Sequence, residues 1–190
     1  MSRIDQLRKN YQRICSLPWD QNVAGAQRIW FAVYDKEDER RLRLRMGLFE
    51  EATRQAGHSW TLLDLTNEFP DWLFGPDYQD YSVSYFEKPD RLGAAPLKHF
   101  KEHVASRLKE FLNDPSTTET SVLAICGVAS LFGFLRLSEI LPMIETQIRG
   151  RLLVFFPGVY EQDNYRLLDA RDGWNYHAVP ITDSEGEIRR

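Results

Sequence analysis

The 190-residue chain has an ordinary globular composition, with 43% hydrophobic and 27% charged residues, which excludes a largely disordered or membrane-embedded chain. Its 24 basic and 28 acidic residues give a net charge of −4, the opposite of the positive field that nucleic-acid-wrapping proteins need, so direct DNA binding is disfavoured. Cys15 and Cys126 lie far apart, and no apolar leader follows Met1. We therefore expect a reduced, cytoplasmic protein with no membrane partner.

The first third of the sequence predicts a helix, a strand and a second helix. Ser2 and Asp5 form the pattern of a capping box, and apolar residues recur at helical spacing until the helix ends before Pro18. The run 29–34 is apolar and aromatic throughout, which is typical of a strand covered on both faces. Asp35 is placed to cap the next helix. The buried stripe that we predict for that helix consists of Leu42, Met46, Phe49 and Ala56.

The middle of the chain continues the alternation of predicted helices and strands. Residues 60–65 predict a second strand, and 68–74 a short aromatic helix. Residues 77–90 are rich in tyrosine but show no clear period, so we expect an irregular connection there. A helix is predicted over 96–112 and a third buried strand over 122–126.

The last third predicts one more helix and several strands. Ser138 is placed to cap a helix that runs to Gly150. A fourth buried strand, 152–156, is expected to end at Pro157–Gly158, and short strands are expected over 165–181.

Strands that alternate with helices predict a three-layer α/β fold with a mostly parallel, Rossmann-like central sheet and no P-loop. No linker or internal repeat divides the chain. We expect one α/β domain over residues 1–182, followed by a polar, frayed tail over 183–190.

Residues 99–103 (HFKEH) match the H-x-x-E-H pattern, in which two histidines one helical turn apart share a zinc ion. The apolar stripe of the same helix consists of Leu97, Phe100, Val104, Leu108 and Phe111. That stripe directs both histidines away from the core, toward solvent, and no third ligand is identifiable from spacing. We therefore favour a solvated helix face over a metal site.

Residues 127–133 (GVASLFG) follow the third predicted strand, at the position where open parallel sheets bind ligands. The loop lacks the lysine of a P-loop and the G-x-G-x-x-G spacing, and Ser130 lacks the flanking glycines of a nucleophile elbow. Its Leu131 and Phe132, with Phe134 beyond it, indicate a packed apolar corner or a docking surface. No cofactor is therefore expected, and a nucleotide site is the alternative.

Four arginines between residues 40 and 45 could contact phosphates in a DNA-binding subunit. Glu37 precedes Arg41 by one helical turn, and Glu39 precedes Arg43 in the same way. Intrahelical ion pairs on a solvated face are the favoured interpretation.

The carboxyl-terminal segment is denser in polar and aromatic groups than a plain hairpin requires. After residues 161–166 (EQDNYR) these groups are Asp169, Arg171, Asp172, Trp174 and Asn175. A binding surface and a buried hydrogen-bond network explain this pattern equally well.

Catalytic patterns are missing from the sequence. We find neither a Ser/His/Asp or Cys/His set nor a pair of carboxylates with a supporting lysine beside a strand. A non-catalytic protein is therefore favoured. The alternative is a metal- or nucleotide-dependent enzyme that uses the loops at the carboxyl ends of the strands, with Asp169 and Asp172 as its acidic groups.

Five segments carry a resemblance to a known family: 16–19 (SLPW), 28–31 (RIWF), 127–136 (GVASLFGFLR), 150–158 (GRLLVFFPG) and 164–176 (NYRLLDARDGWNY). With these segments the chain resembles the BrxB family of bacterial BREX phage-exclusion systems over nearly its whole length. The last two segments are the most specific.

The resemblance implies a component of a multi-gene antiviral system that marks host DNA by methylation and blocks replication of unmarked phage. It implies a PglZ-type, alkaline-phosphatase-like subunit as partner, and a larger assembly with ATPase and methyltransferase subunits. The family supplies no catalytic residues to carry over to this chain.

An adaptor that docks onto a larger enzyme subunit is therefore the predicted function. Aromatic residues make up 13% of the chain, and several lie in segments without a core period. The residues that we predict to contact the partner are Tyr81, Tyr85, Phe86, Leu131, Phe132, Arg166, Arg171 and Trp174.

Overall fold

A computed structural model describes residues 2–170 and 173–184, and these form an α/β fold built on one mostly parallel sheet. The helices are α1 (Arg3–Cys15), α2 (Glu39–Leu44), α3 (Met46–Gln55), α4 (Glu68–Leu73), α5 (Gln79–Glu87), α6 (Ala94–Leu112) and α7 (Leu137–Ile144). The strands are β1 (Ile29–Tyr34), β2 (Ser59–Asp64), β3 (Ser121–Cys126), β4 (Arg151–Glu161), β5 (Asn164–Leu167), β6 (Trp174–Asn175) and β7 (Val179–Ile181).

The parallel strands are arranged in the order β2-β3-β4-β1-β7, and β5 and β6 add antiparallel pairs beyond β4. Every residue of β1, β3 and the first part of β4 is buried. Their side chains alternate between the two faces of the sheet: Ile29, Phe31 and Val33 enter one core cluster, and Trp30 and Ala32 enter the other. The prediction of strands covered on both faces is confirmed.

Helices cover both faces and give the predicted three layers. The crossover from β1 to β2 carries α2 and α3, which pack with α1 on one face. The crossovers from β2 to β3 and from β3 to β4 run in the opposite direction across the sheet, and their helices α4, α6 and α7 pack on the other face. Opposite directions on opposite faces are what right-handed crossovers require.

The amino-terminal predictions are largely confirmed, with one correction. Ser2 caps α1 and Asp5 completes the capping box. The single helix predicted after Asp35 is instead a short 3-10 turn followed by α2 and α3, with a break at Arg45 (φ −112°, ψ 8°). At this break Arg45 forms an ion pair with Asp5 of α1, its nitrogen lying 3.1 Å from the carboxylate oxygen.

The irregular connection predicted over 77–90 is wrong, because residues 79–87 form α5. Only Ser82 of this helix is buried, so its sequence carries no broad apolar stripe for a periodicity argument to detect.

The helix predicted to be capped by Ser138 is displaced. Its N-cap is Arg136, Ser138 lies inside α7, and the helix ends at Ile144 rather than Gly150. A 3-10 turn over Glu145–Gln147 follows the helix. Gly150 then passes very close to β3, where a Cβ atom would collide with the Ser121 carbonyl.

The strand end predicted at Pro157–Gly158 is also wrong, because β4 continues to Glu161. Up to Pro157 the strand pairs in parallel with β1, and from Gly158 onward it pairs antiparallel with β5. Proline lacks a donor, and here its carbonyl accepts from the Leu168 N–H at 2.8 Å. The Pro–Gly pair therefore marks a change of partner strand.

Short strands between residues 165 and 181 are confirmed as β5, β6 and β7. Arg171, Asp172 and the tail from 185 lie outside the described residues. Within residues 2–170 and 173–184, every helix is too short or too polar to cross a membrane.

Candidate functional site

A cleft of about 620 Å³ opens at the carboxyl edge of the sheet, on the face covered by α6 and α7. It lies between the first turns of α6, the segment 132–139 and the hairpin of β5 and β6. We call this space the edge cleft. Its main apolar lining consists of Leu97, Phe132, Phe134, Leu137, Leu167 and Trp174. Ligand sites of open α/β sheets lie at this edge.

The loop after β3 positions one wall of the edge cleft. Gly127 adopts a left-handed conformation (φ 76°) and starts a 3-10 turn in which Val128 and Leu131 are buried. These two side chains anchor the loop in the core, and Phe132 is left exposed. Phe134 then stacks on Phe69 of α4, with ring centroids 3.9 Å apart. The burial of Val128 and Leu131 agrees with a packed apolar corner, and the docking-surface interpretation of Phe132 stays a prediction.

The β5–β6 hairpin forms the opposite wall. Tyr165 is only 1% exposed, its hydroxyl donates to the Ala178 carbonyl at 2.8 Å, and its ring meets Phe31 edge-to-face at 4.5 Å. Trp174 is half-buried and lines the edge cleft, and its indole nitrogen is buried without a hydrogen-bond partner among the described residues. Tyr165 therefore belongs to a buried hydrogen-bond network, as one interpretation of this segment predicts. Trp174 lines a surface cavity, and the binding surface proposed for it stays a prediction.

The predicted docking residues fall into separate groups. Phe132 and Trp174 come from distant segments, and the structure brings both to the edge cleft. Leu131 is 1% exposed and packs in the core, so its side chain adds nothing to a surface. Arg166 forms an ion pair with Glu161 at 3.6 Å. Arg171 lies outside the described residues.

The other three predicted docking residues lie on α5. Tyr81 and Phe86 are exposed, whereas Tyr85 is half-buried against Phe69, with ring centroids 5.4 Å apart. Tyr81 packs beside Tyr78 instead. Five positions along a helix rotate a side chain by about 140°, so Tyr81 and Phe86 occupy different flanks of α5.

The charged lining of the edge cleft is predominantly basic. Among the described residues, Lys98, Lys101, Arg136 and Glu139 line it. Lys101 pairs with Glu139 at 2.9 Å, and within residues 2–170 and 173–184 neither Lys98 nor Arg136 forms an ion pair. No sequence pattern marks these cations, because Lys98 lies on an ordinary solvated helix face and Arg136 lies in a loop.

A second polar cluster closes the carboxyl ends of β2 and β3. Arg43 donates to Asp64 at 2.8 Å, to the Thr66 hydroxyl at 2.8 Å and to Glu39 at 2.7 Å. Burial raises the pKa of Asp64, but the hydrogen bonds from Arg43 and Thr66 together outweigh it and hold the pKa at about 2. Burial raises the pKa of the neighbouring Cys126 thiol to about 12, which makes it a poor nucleophile. This cluster ties α2 to the sheet.

The low pKa of Asp64 predicts a loss of stability in acid. A carboxyl whose folded pKa lies below its unfolded value stabilises the fold above the unfolded pKa of 3.8, and this contribution disappears as the pH falls toward 2. Because both side chains of the Arg43–Asp64 pair are more than a third exposed, we expect about 1 kcal/mol from it. Urea unfolding at neutral and acid pH measures this, and Asp64→Asn should lower stability at neutral pH and show a shallower decline in acid.

The two histidines of the HFKEH motif each lie beside a different glutamate. His99 is exposed and lies 3.5 Å from Glu102, as expected for a solvated face. His103 was expected to face solvent, but its Nε2 lies 3.1 Å from the Glu68 carboxylate, because α4 packs beside α6. Within residues 2–170 and 173–184, no three histidine, cysteine or acidic side chains are grouped to hold a metal ion.

Three of the four arginines between residues 40 and 45 form ion pairs: Arg41, Arg43 and Arg45. The predicted Glu39–Arg43 pair is present at 2.7 Å. The Glu37–Arg41 pair is replaced by Asp38–Arg41 at 2.7 Å, because residues 36–38 form a 3-10 turn rather than the start of an α-helix. These contacts favour the solvated, ion-paired face over a phosphate-binding one.

Comparison with protein families identifies one match. The model described as "BREX protein BrxB" matches residues 85–181, just over half of the chain, and this segment contains every described residue that lines the edge cleft. Neither curated proteins nor solved structures give a match. The match includes the three carrying segments between residues 127 and 176, and it confirms the resemblance: the chain belongs to the BrxB family and is a component of a BREX phage-defence system.

Proposed function

We propose that this chain is an adaptor that binds the PglZ-type, alkaline-phosphatase-like subunit of its BREX system. The observation that carries the proposal is an exposed apolar surface formed by Phe74, Val83 and Phe86, which we call the aromatic surface. Phe74 is 55% exposed, and Val83 and Phe86 are each 64% exposed. Exposed aromatic groups that lie side by side are typical of protein interfaces.

The rings of the aromatic surface are held in place before any partner binds. Phe74 stacks on Phe86 with centroids 5.9 Å apart, and Phe86 meets the ring of Tyr85 at 5.5 Å. Tyr85 in turn packs on the core residue Phe69. Preorganised aromatic side chains lose little conformational entropy on binding, which favours affinity.

The same chain of ring contacts reaches the edge cleft. Phe69 stacks on Phe134, and Phe134 lines the cleft. The aromatic surface and the edge cleft therefore lie on the same helical layer of the fold. A large partner that approaches this layer can therefore contact both features.

We expect Phe86→Asp to weaken binding of the PglZ-type subunit by about tenfold or more, since a charge would replace an aromatic anchor at the interface. Co-expression with the tagged partner encoded beside this chain, followed by affinity purification and titration of the purified components, measures the loss. Phe74→Ser should act in the same direction with a smaller effect.

Leu44→Asp is the matched control. Leu44 is 79% exposed, but it lies on α2, on the opposite helical layer. An equal loss of binding for Leu44→Asp and Phe86→Asp would contradict the proposed surface. If the purified chain does not bind the PglZ-type subunit at micromolar concentration, the adaptor function itself is contradicted.

A further inference from the structure

We propose that the edge cleft binds an acidic segment of a partner protein, with an apolar side chain seated in the cleft and carboxylates placed against Lys98 and Arg136. The inference rests on the proposed adaptor function and specifies the chemistry of the partner segment that the adaptor would bind. It concerns a different set of residues from the aromatic surface, so the two can fail separately.

The size and lining of the edge cleft suit side chains of a peptide. Its volume of about 620 Å³ falls in the range of roughly 300 to 1,000 Å³ that is usual for ligand sites. Leu97, Phe134 and Trp174 contribute aliphatic and aromatic walls. When an apolar side chain enters this space, apolar surface of both the side chain and the cleft is removed from water. This removal is the main source of affinity at such sites.

The charges determine which kind of segment fits. Three cations and one carboxylate line the cleft among the described residues, and Glu139 is already paired with Lys101. Among the residues that the structure describes, Lys98 and Arg136 therefore remain as two positive charges without an ion-pair partner, in a chain whose net charge is −4. Complementary charge favours an acidic partner, raises the rate of encounter and penalises a basic one.

The two cations come from different elements that line the cleft. Lys98 lies on α6, and Arg136 is the N-cap residue of α7. Because an extended segment can place acidic residues on either side of an apolar anchor, it can reach both cations at once. A single phosphate group leaves the apolar lining unused, which is why a peptide is the favoured occupant.

The test uses the full chain, labelled for NMR, and short acetylated and amidated peptides of known sequence. The first peptide has a central Leu-Phe pair flanked by Asp and Glu. The second carries Lys at the acidic positions, and the third carries Ser in place of Leu-Phe. We expect the first to shift the indole N–H of Trp174 and the amides of Phe132 and Gly133, and to bind about tenfold or more tightly than either control peptide.

Charge reversal identifies the contacts. Lys98→Glu combined with Arg136→Glu should weaken binding of the acidic peptide by about tenfold or more, and the affinity of the natural protein should fall as salt is raised. Arg40→Glu is the control, because Arg40 is an exposed cation of α2 that does not line the cleft. Unchanged chemical-shift dispersion will show that each variant is folded.

Three results would overturn the inference: equal affinity for acidic and basic peptides, retention of the acidic peptide by the charge-reversed variant, or shifts that map away from the edge cleft. Inorganic phosphate alone producing the same shifts would assign an anion site and also overturn it. If the peptides fail but the PglZ-type subunit still binds through Phe86, the adaptor function stands and only the edge-cleft inference fails.

Discussion

Gly127→Ala should destabilise the protein by about 1 to 4 kcal/mol, whereas Gly133→Ala, only six residues later, should cost about 1 kcal/mol or less. Both glycines have left-handed backbones, with φ of 76° and 86°. The strain of placing an alanine in that region, about 1 to 2 kcal/mol, is common to both substitutions. Part of it is offset because alanine restricts the unfolded chain.

The two sites differ in the space available to a Cβ atom. At Gly127 the new atom would lie 2.5 Å from the Asp64 carboxylate oxygen and 2.6 Å from the Thr66 backbone nitrogen. At Gly133 no heavy atom lies within 4 Å. Overpacking adds about 1 to 3 kcal/mol at Gly127 alone, because the Asx turn of Asp64 and its Arg43 contact must move.

Urea unfolding of the two variants beside the natural protein measures the difference in the free energy of unfolding. Circular dichroism at low denaturant checks that both variants fold. Equal destabilisation by the two substitutions would show that backbone strain dominates and that the close contact at Gly127 relaxes at little cost.

Gly127 also connects two features of the carboxyl edge. On one side it follows Cys126, whose carbonyl accepts from the Leu65 N–H at 2.9 Å beside the Arg43 cluster. On the other side it starts the turn that buries Leu131 and presents Phe132 to the edge cleft. A Gly127→Ala variant that still folds should therefore show altered Phe132 and Gly133 amide resonances.

Regular elements could be predicted because their causes are local. The continuous apolar runs of β1, β3 and β4 indicate strands covered on both faces, and the capping box of α1 defines its start within the first five residues. The predicted bounds of an element are wrong where contacts with distant parts of the chain determine them. β4 passes through Pro157–Gly158 because β5 offers a new antiparallel partner, and no local pattern specifies that partner.

The edge cleft was beyond sequence reasoning for the same reason. Phe132 and Trp174 are each predicted as docking residues. They line the same cleft because the crossover after β3 places β4 next to β3 in the sheet. The basic lining depends equally on topology. Arg136 and Lys98 line the same cleft because α6 packs beside α7, and no local pattern in the sequence indicates that packing.

The second large effect is expected at Tyr165, which joins the hairpin to the core. Tyr165→Ala should destabilise the protein by about 3 to 5 kcal/mol, since it removes a fully buried ring that contacts Phe31, Phe156 and Trp174. Tyr165→Phe keeps those contacts but leaves the buried Ala178 carbonyl without its donor. An unsatisfied buried acceptor costs about 1 to 3 kcal/mol.

Tyr160→Phe is the matched control, because Tyr160 lies directly opposite Tyr165 in the β4–β5 pairing. Its hydroxyl donates to Asp163 at 2.9 Å in a solvent-exposed hydrogen bond, so its loss should change stability by less than about 0.5 kcal/mol. Thermal and urea unfolding of the three variants measures the series. If Tyr165→Phe proves as mild as Tyr160→Phe, water replaces the lost donor at Ala178, and the hairpin is less firmly joined to the core than its burial indicates. The walls of the edge cleft would then be adjustable, since Tyr165 supports the strand that carries Leu167 to the cleft lining.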